Sequence, residues 1–581
     1  MNYSVNFNML KYSIILFLTV SLTSFLPVVA QDNLNRQLVL VRPYEPSVTD
    51  AQKITSLPNL KDSFNVKPAF DYSIRSRRID TRFDVSPISP AKLQPLPQTK
   101  LYHGYIKAGA GTIPNLLGEV AINTVRNKNY AAGAFLKYDG EYGKVKLNNS
   151  ERVFSGNTDL SAKIFGQKFL YNSVLYGELG LSGKTVYNYG YDAKTTDING
   201  ERLDTTLLKN DIRKQYTFAD ANIGIRSSHF KTEQLNYDLS LNYKSVYNAF
   251  VEKYNENAIN LKTQIDNNMF GGNLNFDLYN RSNAFDSLRN NVAVDINPWF
   301  MLDNDSVRFQ IGMGVVLYKE GDGNLQIKLF PKIEFQFTLL KDIFIPFVGI
   351  DGNLHRNTYR HIVTENPFIT PGLAVPFSIP KLQIYAGLKG TLSSKLSYYL
   401  RADFTNTDDE YFFVNDTSSR AQNYFTVITD DLNTFSVKSE LYFNPVESID
   451  LGVKASYFSY QPSKEKYAWH KPGYTIEFLA KYNLRNKIIV NFDVLSIGKR
   501  YAKAYNFEPT PVPDDGTEPE PNIDFYVLRD VVSFNLGVEY RYTKSFSLFL
   551  KINNISAAKY ERWNFYPSQR FNMMGGFTYS L

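Results

Sequence analysis

The sequence contains no cysteine among its 581 residues. This absence excludes disulfide frameworks, thiolate zinc sites and cysteine nucleophiles. Beyond the first thirty residues, no stretch approaches the roughly 20 continuous apolar residues that a membrane helix requires. The net charge is only +7 and is spread along the chain, without the concentrated basic stripe typical of nucleic-acid binding. We therefore expect neither a helical membrane protein nor a nucleic-acid partner.

The N-terminus has the pattern of an export signal. Lys11 precedes an apolar run over residues 12–30, and the run ends in Val28-Val29-Ala30, a plausible cleavage site. This pattern predicts a secretory signal peptide over residues 1–30. An N-terminal membrane anchor is the alternative.

Residues 31–100 are rich in proline and hold eight of the 26 prolines of the chain. Proline interrupts both helices and strand ladders. We predict an extended proline-rich arm over residues 31–100, not a packed domain.

From residue 101 onward, apolar and polar residues alternate segment after segment. In residues 532–542, Val532 and Phe534 alternate with Ser533 and Asn535. A period of two predicts amphipathic strands. The predicted strands start near residues 101, 115, 130, 156, 170, 214, 232, 257, 270, 289, 305, 324, 342, 380, 395, 433, 447, 470, 487, 528, 544 and 569.

Short and long connections alternate between these strands, which is typical of bacterial outer-membrane barrels with short turns on the periplasmic side. The fold class we predict is all-β: a large closed antiparallel transmembrane β-barrel of about 22 strands over residues 101–581, with an extended N-terminal periplasmic arm. Closure removes the unpaired strand edges, and an even strand number places the N- and C-termini together on the periplasmic side. A soluble, exported β-rich protein is the alternative.

The polar faces of the strands carry more charge than a dry core tolerates, because burying one unpaired charge costs several kcal/mol. A hydrated lumen removes that cost. We predict lumen-lining side chains at Glu119, Lys137, Arg401, Asp403, Lys438, Glu440, Lys454, Asp493, Glu539, Arg541 and Lys551. An open barrel of this size leaks, so the long loops 190–213, 357–379 and 406–432 are hypothesised to fold inward.

The last residues resemble the terminal strand that the barrel-assembly machinery recognises, with Phe577, Tyr579 and Leu581 on one face. The segments 551–555, 559–560 and 566–570 (KINNI, KY and YPSQR) resemble the closing segment of TonB-dependent receptors. The resemblance implies a barrel of the same strand number in the outer membrane of a diderm bacterium, in contact with outer-membrane lipid.

Members of that family carry a plug domain longer than the 70 residues available here, so the chain resembles a plugless relative. Leu38, Val39, Leu40 and Val41 form a short apolar stretch before Pro43. By analogy with the coupling box of these receptors, this stretch is a candidate strand for pairing with a periplasmic energy-coupling or scaffold protein. A plain tether is the alternative.

Motifs for catalysis or cofactors are not found in the sequence. The five histidines lack metal-ligand spacing, and there is neither a nucleophile elbow nor a phosphate-binding loop. We expect no cofactor, no metal site and no enzymatic activity. The acidic residues of 506–527 favour a solvated loop over a calcium site. Trp469 and Trp563, at predicted strand ends, are interpreted as membrane-interface anchors in preference to sugar-stacking residues.

Three function classes remain. The resemblance favours transport or binding of a solute across the outer membrane. The alternative is a non-transporting accessory or scaffold barrel that docks periplasmic or surface partners. An enzyme with a site at the barrel rim is the third and least favoured.

Overall fold

A computed structural model describes residues 101–581 except 149, 192–208, 229–233, 249–253, 268, 284–285, 418–421 and 505–524, and it leaves out the side chains of 282–289. The predicted signal peptide, the arm and the stretch Leu38–Val41 lie outside the described residues, as does most of the acidic loop 506–527. The described residues all belong to one compact unit.

The described residues form 28 strands and one helix. The strands are β1 (Gly104–Gly111), β2 (Asn115–Asn123), β3 (Tyr130–Glu141), β4 (Lys144–Lys146), β5 (Arg152–Phe154), β6 (Asn157–Phe169), β7 (Ser173–Tyr187), β8 (Arg213–Ser227), β9 (Asn236–Asn248), β10 (Tyr254–Asp266), β11 (Phe270–Asn283), β12 (Asp286–Asp303), β13 (Val307–Lys319), β14 (Gln326–Phe337), β15 (Ile345–Asp351), β16 (Ile379–Ser393), β17 (Leu396–Asn415), β18 (Phe425–Val446), β19 (Ile449–Pro462), β20 (Tyr474–Leu484), β21 (Ile488–Ile497), β22 (Arg500–Lys503), β23 (Phe525–Leu528), β24 (Val531–Arg541), β25 (Phe546–Asn553), β26 (Glu561–Trp563), β27 (Tyr566–Pro567) and β28 (Asn572–Ser580). The helix α1 is Tyr359–Glu365.

Twenty-two of these strands pair in chain order into one antiparallel sheet. The first strand, β1, pairs with β2 on one side and with β28 on the other, so the sheet closes. The predicted 22-strand barrel is therefore confirmed. Three short hairpins, β4–β5, β22–β23 and β26–β27, lie in the connections and stay outside the wall.

The largest error in the predicted strand positions is at β18, which begins at Phe425 and not near residue 433. Both β17, with 20 residues, and β18, with 22, extend beyond their predicted bounds. Residues 406–432 are therefore mostly wall strands, and the hypothesis that they form an inward loop is wrong.

The outer face of the wall is apolar. On β7, for example, Leu175, Leu179 and Leu181 are exposed on one face, whereas Glu178 and Ser182 alternate with them on the other. Directly opposite residues on paired strands share a face, so the register carries this division around the barrel.

The seam between β1 and β28 is closely packed. A Cβ added at Gly576 would lie 2.1 Å from the carbonyl oxygen of Ala108, whereas one added at Gly575 would have its nearest neighbour at 3.9 Å. Only glycine at position 576 therefore lets the two backbones approach across the seam.

The two rims of the barrel differ. Both ends of the wall, at Gly104 and Ser580, lie at the rim with short connections, here called the turn rim. The opposite rim, the loop rim, holds the longer connections, including residues 352–378 and 554–571. No helix in the described ranges is long and apolar enough to cross a membrane.

Candidate solute-binding lumen

The connection between β15 and β16, residues 352–378, is here called the inner loop because it lies against the inner wall. The Nη2 of Arg360 donates to Asp220 on β8 at 2.7 Å. On β8 the apolar Ile223 is exposed on the outer face, and Asp220 has the opposite parity. The inner loop therefore lies inside the barrel.

Helix α1 forms within the inner loop because its sequence supplies a cap and an apolar face. The Thr358 hydroxyl accepts the backbone N–H of His361 at 3.1 Å and so caps the N-terminus. Tyr359, Ile362 and Val363 are buried with helical spacing. The helix ends at Glu365, and Pro367 follows two residues later, where a continuing helix is disfavoured.

Ion pairs attach the inner loop to the wall. Arg356 lies 2.5 Å from Asp277 on β11 and 2.5 Å from Asp295 on β12. Burial alone would lower the pKa of Arg356, but the two carboxylates outweigh it and raise this pKa above its ordinary value. Asp295 lies nine residues below the loop end of β12, or about 30 Å along the strand. The inner loop therefore reaches well into the lumen.

Glu256 of β10 is a second attachment point, and it is 2% exposed. Its carboxylate accepts the backbone N–H groups of Tyr359 at 2.9 Å and Arg360 at 3.2 Å. It also pairs with Arg281 of β11 at 2.9 Å. A carboxylate at the first turn of a helix is favourable, because it satisfies backbone donors that have no partner within the helix.

An apolar cluster continues from the inner loop across the lumen. Its members come from three places. They include Tyr216, Val246 and Tyr254 on the β8–β10 wall, Tyr359, Ile362, Val363 and Ile369 of the inner loop, and Phe413, Phe425, Trp563 and Tyr566 on the far side. The rings of Phe368 and Tyr566 stack at 3.9 Å. The inner loop thus bridges opposite parts of the wall, and together with residues 554–571 it forms a cap over the lumen.

His470 lies in the connection between β19 and β20 and is buried between β17 and residues 554–571 of this cap. Its Nδ1–H donates to the carbonyl of Phe413 at 2.9 Å, and its Nε2 accepts the backbone N–H of Asn564 at 3.3 Å. Burial lowers the pKa of His470 to about 4, so the ring is neutral at pH 7.

The two tryptophans that the sequence analysis interpreted as membrane-interface anchors are in fact buried. Trp469 is 1% exposed and Trp563 is 7% exposed. That interpretation is wrong because both rings pack into apolar clusters of the protein: Trp469 against β17 and β18, and Trp563 against the cluster that contains the inner loop. Trp469 donates from Nε1 to Glu465 within its own loop.

All the predicted lumen-lining side chains lie on the inner face by strand parity and register. Several of them pair with each other: Glu119 contacts Lys137 at 3.7 Å, and Arg401 contacts Asp403 at 2.6 Å. The structure places these groups around different parts of the wall and does not gather them into one site. That they contact a solute stays a prediction.

The structure also shows a cavity of about 530 Å³ beside the inner loop, which the sequence analysis missed. Its lining is rich in amide side chains at the loop ends of wall strands, including Asn157, Asn535, Asn553 and Asn572. A second cavity of about 360 Å³ lies between α1 and β9–β11, beside Glu256 and Arg356. The predicted lumen lining rested on charged residues alone, and the inward-facing asparagines carry no charge that would have indicated them. Across the described part of the chain, no three His, Asp or Glu side chains come together as a metal site.

Several solved structures are similar to this barrel. The iron transporter FrpB from Neisseria meningitidis (F3-3 variant) matches with a TM-score of 0.62 and 10% identity, over 83% of this chain and 82% of that chain. The pyoverdine receptor FpvA from Pseudomonas aeruginosa PAO1, bound to pyoverdine, matches with a TM-score of 0.61 and 11% identity, over 83% and 79%. The copper transporter OprC matches with a TM-score of 0.57 and 9% identity, over 82% and 80%.

The chain shares the barrel fold of TonB-dependent receptors. At these identities the similarity establishes the fold alone, and for the barrel it confirms the expectation from residues 551–570. No protein-family model and no curated protein matches the sequence. The plugless architecture concerns residues outside the described ranges and stays a prediction.

Proposed function

We propose that the chain is an outer-membrane barrel of the TonB-dependent-receptor type, which binds a solute and passes it through a gated lumen. The apolar outer face suits a lipid environment, and the charged inner face suits water. Iron and copper transporters and a pyoverdine receptor have the same barrel fold. Nothing in this proposal requires an enzymatic step or a cofactor.

The observation that carries the proposal is the inner loop crossing the lumen. A 22-strand barrel is wide enough to leave an aqueous channel unless something fills it. Here the inner loop contacts β8–β12 through ion pairs and β17–β18 through apolar packing. The inner loop occludes the barrel at one rim, and polar contacts hold it there. Such an arrangement favours a receptor that opens when a solute binds over a permanently open pore.

In the proposed orientation, the loop rim faces the cell exterior and the turn rim, with both chain termini, faces the periplasm of a diderm bacterium. Phe577 and Tyr579 project outward from β28 and are partly exposed. They and Leu581 are the residues we assign to recognition by the barrel-assembly machinery. The stretch Leu38–Val41 then lies on the side where an energy-coupling or scaffold protein would pair with it. If solute uptake is unchanged after deletion of residues 31–60, this coupling role is excluded.

Planar-bilayer conductance tests the gated lumen. The intact chain is expected to conduct little. A variant with residues 356–377 replaced by a short Gly-Ser linker is expected to show large, steady channels, because both attachment points and the apolar bridge are removed. Equal conductance of the two proteins would contradict gating by the inner loop. If both are silent and a periplasmic or surface protein co-purifies, the accessory-barrel alternative is favoured.

A further inference from the structure

The 530 Å³ cavity is lined on its wall side by asparagines from the adjacent strands β24, β25 and β28, and by one from β6, which lies beyond β1, β2 and β3 in the wall. Asn553 of β25 lies directly opposite Asn572 of β28, and Asn157 of β6 lies directly opposite Glu141 of β3. Asn535 of β24 lines the same cavity from the strand next to β25. Asn535, Asn553 and Asn572 lie at similar height near the loop rim and form a polar band along one side of the lumen, and Asn157 lies farther round the wall.

The amides in this band retain hydrogen-bonding capacity. Asn553 donates to Asn572 through one N–H at 2.9 Å. Neither side chain makes any other hydrogen bond to the rest of the described chain, so one polar end of each amide remains available. Asn535 accepts the backbone N–H of Asn554 at 3.0 Å, and its other end is likewise available. A primary amide presents two donors and an acceptor oxygen, so this band can both donate to and accept from a ligand.

The charge of the lining is nearly balanced. The carboxylates Glu141 and Glu365 face the basic Lys184, Arg562 and Arg570. Glu365 already accepts the hydroxyl of Tyr411, and Arg570 already donates to the carbonyl of Ala557 at 2.8 Å. No concentrated field of one sign therefore selects a multiply charged ligand here.

Amides that can donate and accept, in a nearly neutral cavity, match hydroxyl groups, because each hydroxyl also donates and accepts. We propose that this cavity binds a neutral, hydroxyl-rich solute of the size of a short oligosaccharide. Its volume falls within the roughly 300–1,000 Å³ of small-molecule sites, and Tyr560 adds aromatic surface to the lining. A peptide is the competing occupant, since its backbone also donates and accepts hydrogen bonds, and the titration below separates the two.

This inference rests on the proposed solute-binding function and names the solute class. The test is isothermal titration of the full-length chain in detergent with maltotriose, cellotriose and mannotriose, alongside triglycine and ferrioxamine B. We expect at least one trisaccharide to bind. Asn553→Ala and Asn572→Ala are each expected to weaken that binding about 3- to 10-fold, as befits the loss of one neutral hydrogen bond.

The matched control is Asn242→Ala. Asn242 also lies on the inner face, on β9, but it does not line this cavity, and within the described residues its side chain bonds to Ser240 alone. Its replacement is expected to leave trisaccharide affinity unchanged. Retention of the folded, heat-modifiable band on gels by all three variants shows that the barrel is intact.

Three results would overturn the inference: no binding of any trisaccharide, trisaccharide binding that is insensitive to Asn553→Ala and Asn572→Ala, or tighter binding of triglycine or ferrioxamine B. Each leaves gating by the inner loop intact, because gating is measured by conductance without any ligand. Conversely, a conductance result against gating does not alter the titration. The two proposals therefore fail separately.

Discussion

Glu256 provides the sharpest test of how the inner loop is held. The proposed change is Glu256→Gln, which keeps the shape of the side chain and removes its charge. In the native protein the carboxylate is 2% exposed, pairs with Arg281, and accepts two backbone N–H groups of α1. The variant leaves the Arg281 side chain, which is 9% exposed, without its counter-charge.

Removing one partner of a buried ion pair costs about 3–5 kcal/mol, chiefly because the remaining charge stays buried. Undocking of the inner loop exposes Arg281 to water and relieves this cost. The ratio of undocked to docked molecules should therefore rise by about 10² to several 10³, at 1.4 kcal/mol per factor of ten. The wall itself should survive, since its backbone ladders do not depend on Glu256.

Hydrogen exchange measures this ratio at the α1 amides of Ile362 and Asn366, whose N–H groups bond to Thr358 and Ile362. Protection at both is expected to fall in Glu256→Gln, and bilayer recordings should show more frequent openings. Glu178→Gln is the matched control. Glu178 is also a wall carboxylate in an ion pair, here with Lys163 at 2.5 Å. It is 37% exposed and does not contact the inner loop. Unchanged α1 protection in Glu256→Gln, or an equal loss in the control, would refute the reasoning.

Two further predictions concern the cap and the seam. The pKa of His470 is about 4 in the folded protein and near 6.5 when the cap is unfolded. Between these two pH values His470 is therefore protonated in the unfolded cap and neutral in the folded cap. The free energy of unfolding of the cap should therefore fall by up to roughly 3 kcal/mol as pH drops from about 6.5 to about 4. Tryptophan fluorescence should report this loss. His470→Gln should abolish the loss, whereas the control His361→Gln should retain it. At the seam between β1 and β28, Gly576→Ala should prevent closure of the barrel, because the added Cβ would lie 2.1 Å from the carbonyl oxygen of Ala108. Gly575→Ala should be tolerated, because its Cβ would have no neighbour closer than 3.9 Å. A folded band for both variants on unheated gels would contradict this account.

The wall was predictable from the sequence because its signals are local. Alternation of residues such as Val532, Ser533, Phe534 and Asn535 fixes which side chains share a face, and short turns fix which strands are neighbours. The error at β18 arose because residues 425–432 continue the strand beyond the point where the apolar alternation is clear. The alternation of side chains along each strand likewise explains why the predicted charged residues share the inner face.

From the sequence, the inner loop could be predicted only as a long connection that was expected to fold into the barrel. Its contacts join residues far apart in sequence: Arg360 and Asp220 are 140 positions apart, and Arg356 and Asp295 are 61 apart. Which carboxylate meets which arginine depends on the tilt and stagger of the closed barrel, and no local pattern encodes these. The tryptophan error has the same origin, because a loop that folds inward and one that lies at the membrane surface share the same composition.

The contrast between wall and cap has a physical consequence for gating. The wall is closed by continuous backbone ladders. The inner loop is attached mainly by side-chain ion pairs and aromatic packing, which water and ions can replace, and by two backbone hydrogen bonds to Phe425 of β18. Regions held in this way open locally at a lower free energy than the surrounding sheet. Glu365 and Phe368 of the inner loop line the 530 Å³ cavity, so a ligand bound there would contact the weaker of the two structures. The proposed opening, by release of the inner loop, would leave the pairing of the 22 wall strands intact.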